Sequence, residues 1–226
     1  MWGVYMFCID QYMQQLISFL KGHFGTRLTY AGLQGSYLRG EATPDSDIDV
    51  MVVIDSLSVS DLAAYRTIIE SMECFDRSCG FICSKEDLLN WNRLEMCNLL
   101  NSTKDYYGVL RELIPEYTKE DVRNFIKFSV NNLYHALCHS FIHGSAEHNI
   151  AALPGLYKGV FFILQNLHYL NYGVFAGKKA ELLTMLDGKN REVLEHSMVI
   201  GNGAQYEYDK SFELLFTWCQ ETLMAL

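Results

Sequence analysis

The sequence lacks the basic stretches that proteins binding long nucleic acids carry. Its 226 residues include 18 Lys and Arg against 27 Asp and Glu, which gives a formal net charge of −9, and the longest basic run is the pair at 178–179. Because the phosphate backbone is bound chiefly through Lys and Arg, we expect no long nucleic acid as a partner. A small anionic ligand held through metal ions remains compatible with this charge.

Long apolar runs and closely paired cysteines are also missing. No stretch reaches about 18 consecutive apolar residues, so we expect no transmembrane helix and no membrane partner. The apolar N-terminus lacks a basic segment and is predicted to form an amphipathic helix over residues 4–24 rather than a signal peptide. The seven Cys contain no C-x-x-C pair, which indicates reduced cysteines in a cytoplasmic protein. A zinc site at Cys79 and Cys83 would need two further ligands.

The first half of the chain mixes helical and strand patterns. Runs rich in β-branched and aromatic residues predict three strands, at 27–33, 48–54 and 77–83. Ser60 is predicted to cap a helix that ends near residue 73. Ser84 and Asp87 form a capping-box pattern that predicts a helix to about residue 98.

The second half has only helical periodicity. A capping box at Thr118 and Asp121 predicts a long helix to His143, and Pro154 is expected to begin a helix that ends near Asn171. Three shorter helices are predicted, at 178–187, at 190–199 and from Asp209 to Met224. The fold class is therefore α+β, with an N-terminal mixed sheet and flanking helices at 1–110 and an all-α helical bundle at 111–226.

Two carboxylates stand in a strand that is otherwise apolar. Asp47 and Asp49 alternate with Ile48 and Val50, and alternate residues share one face of a strand, so both carboxylates point the same way. Adjacent carboxylates repel each other, and burying them is costly unless a partner compensates the charge. Mg²⁺ favours one or two carboxylates together with phosphate oxygens and water. The pattern therefore predicts a metal–phosphate site.

A Gly-Ser turn before this strand supports that interpretation. Gly35 permits a tight turn with a close backbone approach, and Ser36 opens a short helix whose free N–H groups and hydroxyl suit an anion. Arg39 lies one turn further on, within reach of the same anion. The alternative is an acidic turn in which Asp45 and Asp47 are surface or capping residues, and the spacing of the combined motif argues against it.

The combined pattern, G35-S36-Y-L-R39-G40-x6-D47-I48-D49, resembles the signature of the nucleotidyltransferase superfamily. That superfamily includes polymerase β-like enzymes, aminoglycoside adenylyltransferases and minimal nucleotidyltransferases. The resemblance implies that Gly35 and Ser36 hold a nucleoside triphosphate, with ATP the expected donor. It also implies that Asp47 and Asp49 bind one or two Mg²⁺ ions, and that a nucleotidyl group passes to an acceptor hydroxyl with release of pyrophosphate.

The resemblance leaves the acceptor open. A small hydroxylated compound such as an aminoglycoside is the first expectation, because an acidic cleft would attract a polycation. A protein acceptor, as in antitoxin-type minimal nucleotidyltransferases, is an alternative. A homodimer is also compatible with the sequence.

One departure from the superfamily pattern bears on catalysis. Members usually carry a third carboxylate on a later strand, and the strand predicted at 77–83 has no acid at its centre. The remaining candidates flank that strand or lie beyond it: Asp76, Glu86, Asp87 and Asp105. If none of them completes the site, the chain would be a nucleotide-binding protein without catalysis.

The helical half offers weaker signals. Antibiotic nucleotidyltransferases often have a similar C-terminal helical domain, and Lys158 is predicted either to contact a nucleotide phosphate or to extend to solvent from an apolar helix. Three histidines at helical spacing are expected to form a half-buried stripe lining the domain interface, with a weak metal site or a lining of the acceptor cleft as the alternatives: His135, His139 and His143. Arg191 and His196 match an R-x4-H pattern that resembles the ribonuclease motif of HEPN domains.

Overall fold

The computed structural model of the chain describes residues 7–201 and 203–226. The chain divides into two compact units, Met1–Glu116 and Tyr117–Leu226. A mixed sheet with flanking helices forms the first unit, and the second is helical. The predicted α+β fold class is thereby confirmed.

The first unit follows the predicted order of elements. Its helices are α1 (Ile9–Phe24), α2 (Gly35–Arg39), α3 (Val59–Glu70), α4 (Lys85–Leu89) and α5 (Arg93–Asn101). Its strands are β1 (Leu28–Leu33), β2 (Ile48–Ile54), β3 (Ser78–Ser84) and β4 (Lys104–Tyr107). The three predicted strands are confirmed, whereas β4 was missed because four polar and aromatic residues carry no apolar alternation.

Several predicted helix boundaries in this unit are wrong. Within the described residues α1 starts at Ile9, and positions 4–6 of the predicted helix lie outside them. Ser58, not Ser60, caps α3 in a capping box with Asp61, and this helix ends at Glu70. The capping box at 84–87 is present, but its helix stops at Leu89 because Asn92 caps a separate one.

Among the described residues, four strands form one sheet in the order β3-β2-β1-β4. Strand β2 pairs antiparallel with β1 and parallel with β3, and β1 pairs antiparallel with β4. One face, which includes Val50 and Val52, packs on α1 and α3. The opposite face, which includes Met51 and Val53, packs on α4, α5 and the segment at 110–114. The predicted alternation along β2 is therefore confirmed.

The second unit consists of six helices within its described residues: α6 (Lys119–His143), α7 (Ala146–Tyr157), α8 (Val160–Tyr172), α9 (Lys179–Met185), α10 (Gly188–Gly201) and α11 (Tyr208–Ala225). The capping box of Thr118 and Asp121 begins α6 as predicted. At the last helix the predicted cap is wrong, since Glu207 occupies the N-cap position and Asp209 lies inside the first turn.

The expectation that Pro154 begins a helix is also wrong. Pro154 lies inside α7, which starts eight residues earlier behind the N-cap Ser145. Proline has no N–H, so the carbonyl of Ile150 loses the hydrogen bond that residue 154 would normally donate to it. The hydroxyl of Tyr206 donates to this carbonyl instead. A side chain beyond α10 thus satisfies the backbone group that the proline leaves open.

The described residues contain one stretch, Ala146–Tyr172, that is long and apolar enough to cross a membrane by length and composition alone. A core helix of a water-soluble domain passes the same test, and 44% of the most apolar window is buried. The stretch is also divided by a turn at 158–159.

An ion pair joins α3 to the start of the sheet. Both terminal nitrogens of Arg27 donate to the Asp61 carboxylate at 2.9 Å, and the Ser58 N–H and hydroxyl donate to the same carboxylate. Arg27 first, and then Ser58, hold the pKa of Asp61 well below its ordinary range. Because the folded pKa is depressed, Asp61 stabilises the fold above its unfolded pKa, and this contribution is lost as pH falls through the folded value.

We expect Asp61→Asn to lower the urea midpoint at pH 7, with the deficit shrinking as pH falls below about 4, the ordinary pKa of aspartate. The matched control is Asp87→Asn, because Asp87 caps α4 through Ser84 alone. Both carboxylates accept bonds from a capping serine, but Asp61 also accepts two charge-assisted bonds from Arg27, so the loss at Asp61 should be about twice the loss at Asp87. Equal losses at the two positions would contradict the role of Arg27.

Candidate active site

The Gly-Ser turn is attached to the start of β2 by a backbone hydrogen bond. The N–H of Gln34, the residue after β1, donates to the carbonyl of Asp49 at 2.9 Å. Helix α2 begins at the next residue and ends where Gly40 adopts the left-handed conformation. The predicted short helix is therefore present, and its first residues sit at the same end of the sheet as Asp49.

Gly35 lies directly against the carboxylate of Asp49. Its φ of +69° is a backbone conformation that residues with a Cβ rarely adopt. A Cβ at this position would overlap the Asp49 carboxyl group, the Oδ2 atom above all. The glycine thus does two things at once, since it makes the turn and leaves room for the carboxylate.

The two predicted carboxylates differ in exposure. Asp47 precedes β2 and is exposed, whereas Asp49 is half-buried. Burial raises the pKa of Asp49, and the negative charge of Asp47 raises it further. A hydrogen bond from the Cys79 thiol and the positive charge of Arg39 act in the opposite direction. Without a cation, the ionised form of Asp49 is therefore disfavoured.

This donor set fits a divalent cation. Two like charges on one face, one of them half-buried, are relieved when a cation binds between them. The described residues contain no group of three or more His, Cys, Asp or Glu side chains placed to hold a metal ion. Two carboxylates would consequently need phosphate and water oxygens to complete the coordination, which is the usual arrangement for Mg²⁺.

Arg39 lies near Asp49 and forms an ion pair with Glu41. Its Nε donates to the carboxylate of Glu41 at 2.9 Å, and the side chains are only 18% and 27% exposed. A guanidinium is a planar fork of N–H donors whose geometry matches phosphate oxygens. The predicted phosphate contact of Arg39, like that of Ser36, stays a prediction.

The candidates for a third carboxylate fall into two groups, according to the end of the sheet at which they lie. Asp49 lies opposite Cys79 in the parallel register of β2 and β3, whereas Ile54 lies opposite Ser84. Glu86 and Asp87 follow Ser84, so they lie at the far end of the sheet, more than about 17 Å along the strand. Asp87 is also occupied as the cap of α4.

Two candidates remain at or near the correct end. Asp76 is exposed in the turn before β3. Asp105 on β4 lies opposite Gly32 in the register and accepts a hydrogen bond of 2.7 Å from the hydroxyl of the buried Tyr30. Tyr30 packs on the same sheet face as Met51, so Asp105 shares the face that carries Asp49, two strands away.

Cys79 was not predicted to belong to this site. It lies beside Asp49 on the neighbouring strand, and its thiol forms a hydrogen bond with the Asp49 carboxylate. Partial burial first, and then the charge of Asp49, raise the pKa of this thiol, so it stays protonated and can donate. Only the strand register reveals this neighbour, and no local sequence pattern encodes the register.

The zinc alternative at Cys79 and Cys83 is wrong. The two cysteines are four residues apart on β3, which corresponds to about 13 Å, and one zinc ion cannot bind both at about 2.3 Å. Cys79 is exposed and Cys83 is buried.

The candidates in the helical unit lie apart from one another. Lys158 is exposed at the end of α7, and its predicted phosphate contact stays a prediction. Arg191 pairs with Glu195 at 2.9 Å, while His196 Nε2 lies 2.7 Å from the Ser211 hydroxyl. Five residues of α-helix rotate a side chain by about 140°, so Arg191 and His196 leave α10 in different directions.

Comparison with known protein families agrees with this geometry. The nucleotidyltransferase domain family matches residues 13–129, just over half of the chain. The chain belongs to the nucleotidyltransferase family. Among solved structures, the nucleotidyltransferase chain is similar to spectinomycin adenyltransferase from Enterococcus faecialis, solved with ATP and spectinomycin. The TM-score is 0.59 at 15% identity, over 95% of this chain and 99% of that one, which shows a shared fold. No curated protein sequence matches at a significant level.

We expect Gly35→Ala to weaken Mg²⁺–ATP binding by at least about tenfold, or about 1.4 kcal/mol, because the new methyl group displaces the Asp49 carboxylate. Separately, the left-handed backbone at position 35 should lower the free energy of unfolding of this variant by roughly 1–2 kcal/mol. Gly22→Ala is the matched control, since Gly22 lies in α1 and a methyl group added there would meet nothing within 4 Å. Calorimetry and urea unfolding measure both effects, and equal behaviour of the two variants would contradict the close approach.

We expect Asp49→Asn to raise the thermal midpoint at pH 7 in buffer with a chelator. A carboxyl group with a raised folded pKa stabilises the fold below its unfolded pKa, and this stabilisation is lost as pH rises through the folded value. The difference between variant and wild type should therefore shrink as pH falls below about 3.9, because the carboxyl becomes protonated in both states. Asp47→Asn, at an exposed position, should change the midpoint less. A lower midpoint for Asp49→Asn at pH 7 would be evidence against the raised pKa.

Proposed function

We propose that the chain is a Mg²⁺-dependent nucleotidyltransferase that moves AMP from ATP to a hydroxyl group of a small acceptor. The observation that carries this proposal is the half-buried Asp49 carboxylate, which lies against Gly35 and is repelled by Asp47. Such a pair at the start of a strand, beside a Gly-Ser turn, suits a cation that also binds phosphate.

In this proposal each residue of the site has a separate task. Asp47 and Asp49 would hold one or two Mg²⁺ ions, which supply positive charge to the triphosphate and to the developing oxyanion. The backbone at Gly35 and the hydroxyl of Ser36 would bind phosphate oxygens, and Arg39 would add a positive charge near Asp49. Held in this way, the α-phosphate would present the bond to its leaving group in line with the acceptor hydroxyl.

The reaction exchanges one phosphorus–oxygen bond for another. The acceptor oxygen bonds to the α-phosphorus, the bond to the β-phosphate oxygen breaks, pyrophosphate leaves and the hydroxyl proton passes to a base or water. A cationic acceptor suits a chain with a net charge of −9, and the fold neighbour was solved with ATP and spectinomycin. These two points support an aminoglycoside-like acceptor.

A second candidate is a nucleotide-binding protein with little transfer activity. Cys79 favours it, because the position beside Asp49 on β3 carries a thiol where a carboxylate would add a metal ligand or a base. Under this candidate, Mg²⁺ and ATP would bind as proposed without release of pyrophosphate.

The decisive experiment is calorimetry of ATP binding with and without Mg²⁺, followed by pyrophosphate release with aminoglycosides and aminocyclitols as acceptors. We expect binding that requires Mg²⁺ and falls at least about tenfold in Asp47→Asn and in Asp49→Asn. Asp45→Asn, an exposed acid in the same loop, is the control and should bind as wild type.

The outcomes separate the candidates. Acceptor-dependent pyrophosphate release together with an acceptor heavier by one AMP supports transfer to small molecules. The same mass change on an added protein would identify a protein acceptor instead. Mg²⁺-dependent binding without pyrophosphate release supports the second candidate. Failure to bind any of the four nucleoside triphosphates would overturn both.

A further inference from the structure

Three histidines form an exposed column on α6. His135, His139 and His143 are spaced four residues apart, so they lie on one face of the helix. All three residues are exposed, which corrects the expectation of a half-buried stripe. The ring centroids are 6.0 Å apart for the first pair and 4.8 Å apart for the second. Within the described residues, no hydrogen bond or ion pair occupies these three rings.

The second spacing matches two imidazoles that share one metal ion. A ring nitrogen lies about 2.0–2.1 Å from a bound transition metal, so two rings at right angles or tetrahedral angles have centres about 4.5–5 Å apart. His139 and His143 meet this condition as they stand. His135 lies eight residues before His143, about 12 Å along the helix axis, so it cannot bind the same ion as that residue. This agrees with the absence of a three-ligand group among the described residues.

We propose that His139 and His143 chelate a divalent transition-metal ion on the surface of α6. Imidazole nitrogen selects zinc, nickel and copper, whereas Mg²⁺ prefers oxygen. The site therefore takes a different class of ion from the carboxylate pair on β2. Water fills the remaining positions, so the ion exchanges readily and a further ligand can join it.

Chelation fixes the last turn of α6. A helix end frays because its last carbonyl groups lack partners within the helix, and a bond between residues four apart holds that turn closed. The column ends at His143, the final residue of α6. Metal binding should therefore slow amide exchange in the segment around 139–144 and leave α1 unchanged.

The test is calorimetric titration of the full chain with nickel chloride, under reducing conditions and with excess Mg²⁺. The titrated protein carries Asp47→Asn and Asp49→Asn, so the result does not depend on the proposed function. We expect one ion per chain with a Kd of about 10 µM, the order given by two imidazoles and water. His139→Ala and His143→Ala should each weaken binding at least about tenfold, whereas His135→Ala should leave it unchanged.

The control is His23→Ala, at an exposed histidine of α1, which should bind nickel as the parent protein does. Hydrogen exchange with and without nickel locates the effect along the chain. Binding weaker than about 1 mM would overturn the proposal. So would unchanged affinity in the double variant His139→Ala/His143→Ala, because the ion would then sit elsewhere, for example on an exposed thiol such as Cys79.

Discussion

The approach of the Asp49 carboxylate to the Cα of Gly35 is the contact on which the rest of the active-site geometry depends. Strand β2 carries the carboxylate, the turn after β1 carries the glycine, and the hydrogen bond from Gln34 to Asp49 joins the two backbones at the same point. A shift of either segment would consequently move both the Gly-Ser turn and the carboxylate proposed as a metal ligand. Beneath them, Val50 and Val52 are buried against α1 and α3, so the strand has a packed base.

The environment of the Asp49 carboxylate disfavours its ionised form. Asp49 loses hydration and faces Asp47, whereas the thiol of Cys79 and the charge of Arg39 favour its ionised form. If the proposed cation binds here, it would remove this repulsion, so part of its affinity would come from the lost repulsion between the carboxylates rather than from new contacts. The neutral thiol contributes a donor without adding a third negative charge.

Local signals in the sequence predicted most of the fold. The box of Thr118 and Asp121 and the alternation along β2 depend on neighbours within four residues, and both are confirmed. The prediction that Pro154 begins a helix was wrong because a proline inside a helix is tolerated when a distant hydroxyl donates to the carbonyl that has lost its backbone donor. The strand β4 has only four residues, too few for an alternation of apolar and polar residues to be recognised. It forms by antiparallel pairing with β1.

The candidate site shows the same division between local and long-range information. Gly35, Ser36 and the two aspartates belong to one short motif, so the sequence alone brings them together. Cys79 is 30 residues beyond Asp49, and only the parallel register of β2 and β3 makes them neighbours. The exposure of the histidines on α6 could not be predicted either, because periodicity identifies a shared face without showing what covers it.

The link between Pro154 and Tyr206 has a consequence for how related chains diverge. The proline removes the backbone donor for the Ile150 carbonyl, and the tyrosine hydroxyl donates to that carbonyl instead. The effect of substituting either residue therefore depends on which residue stands at the other position. A relative with an ordinary residue at position 154 restores the helical hydrogen bond and no longer needs a hydroxyl at position 206. The two positions should therefore change together across a set of relatives, although 52 residues separate them and neither belongs to the nucleotidyltransferase motif.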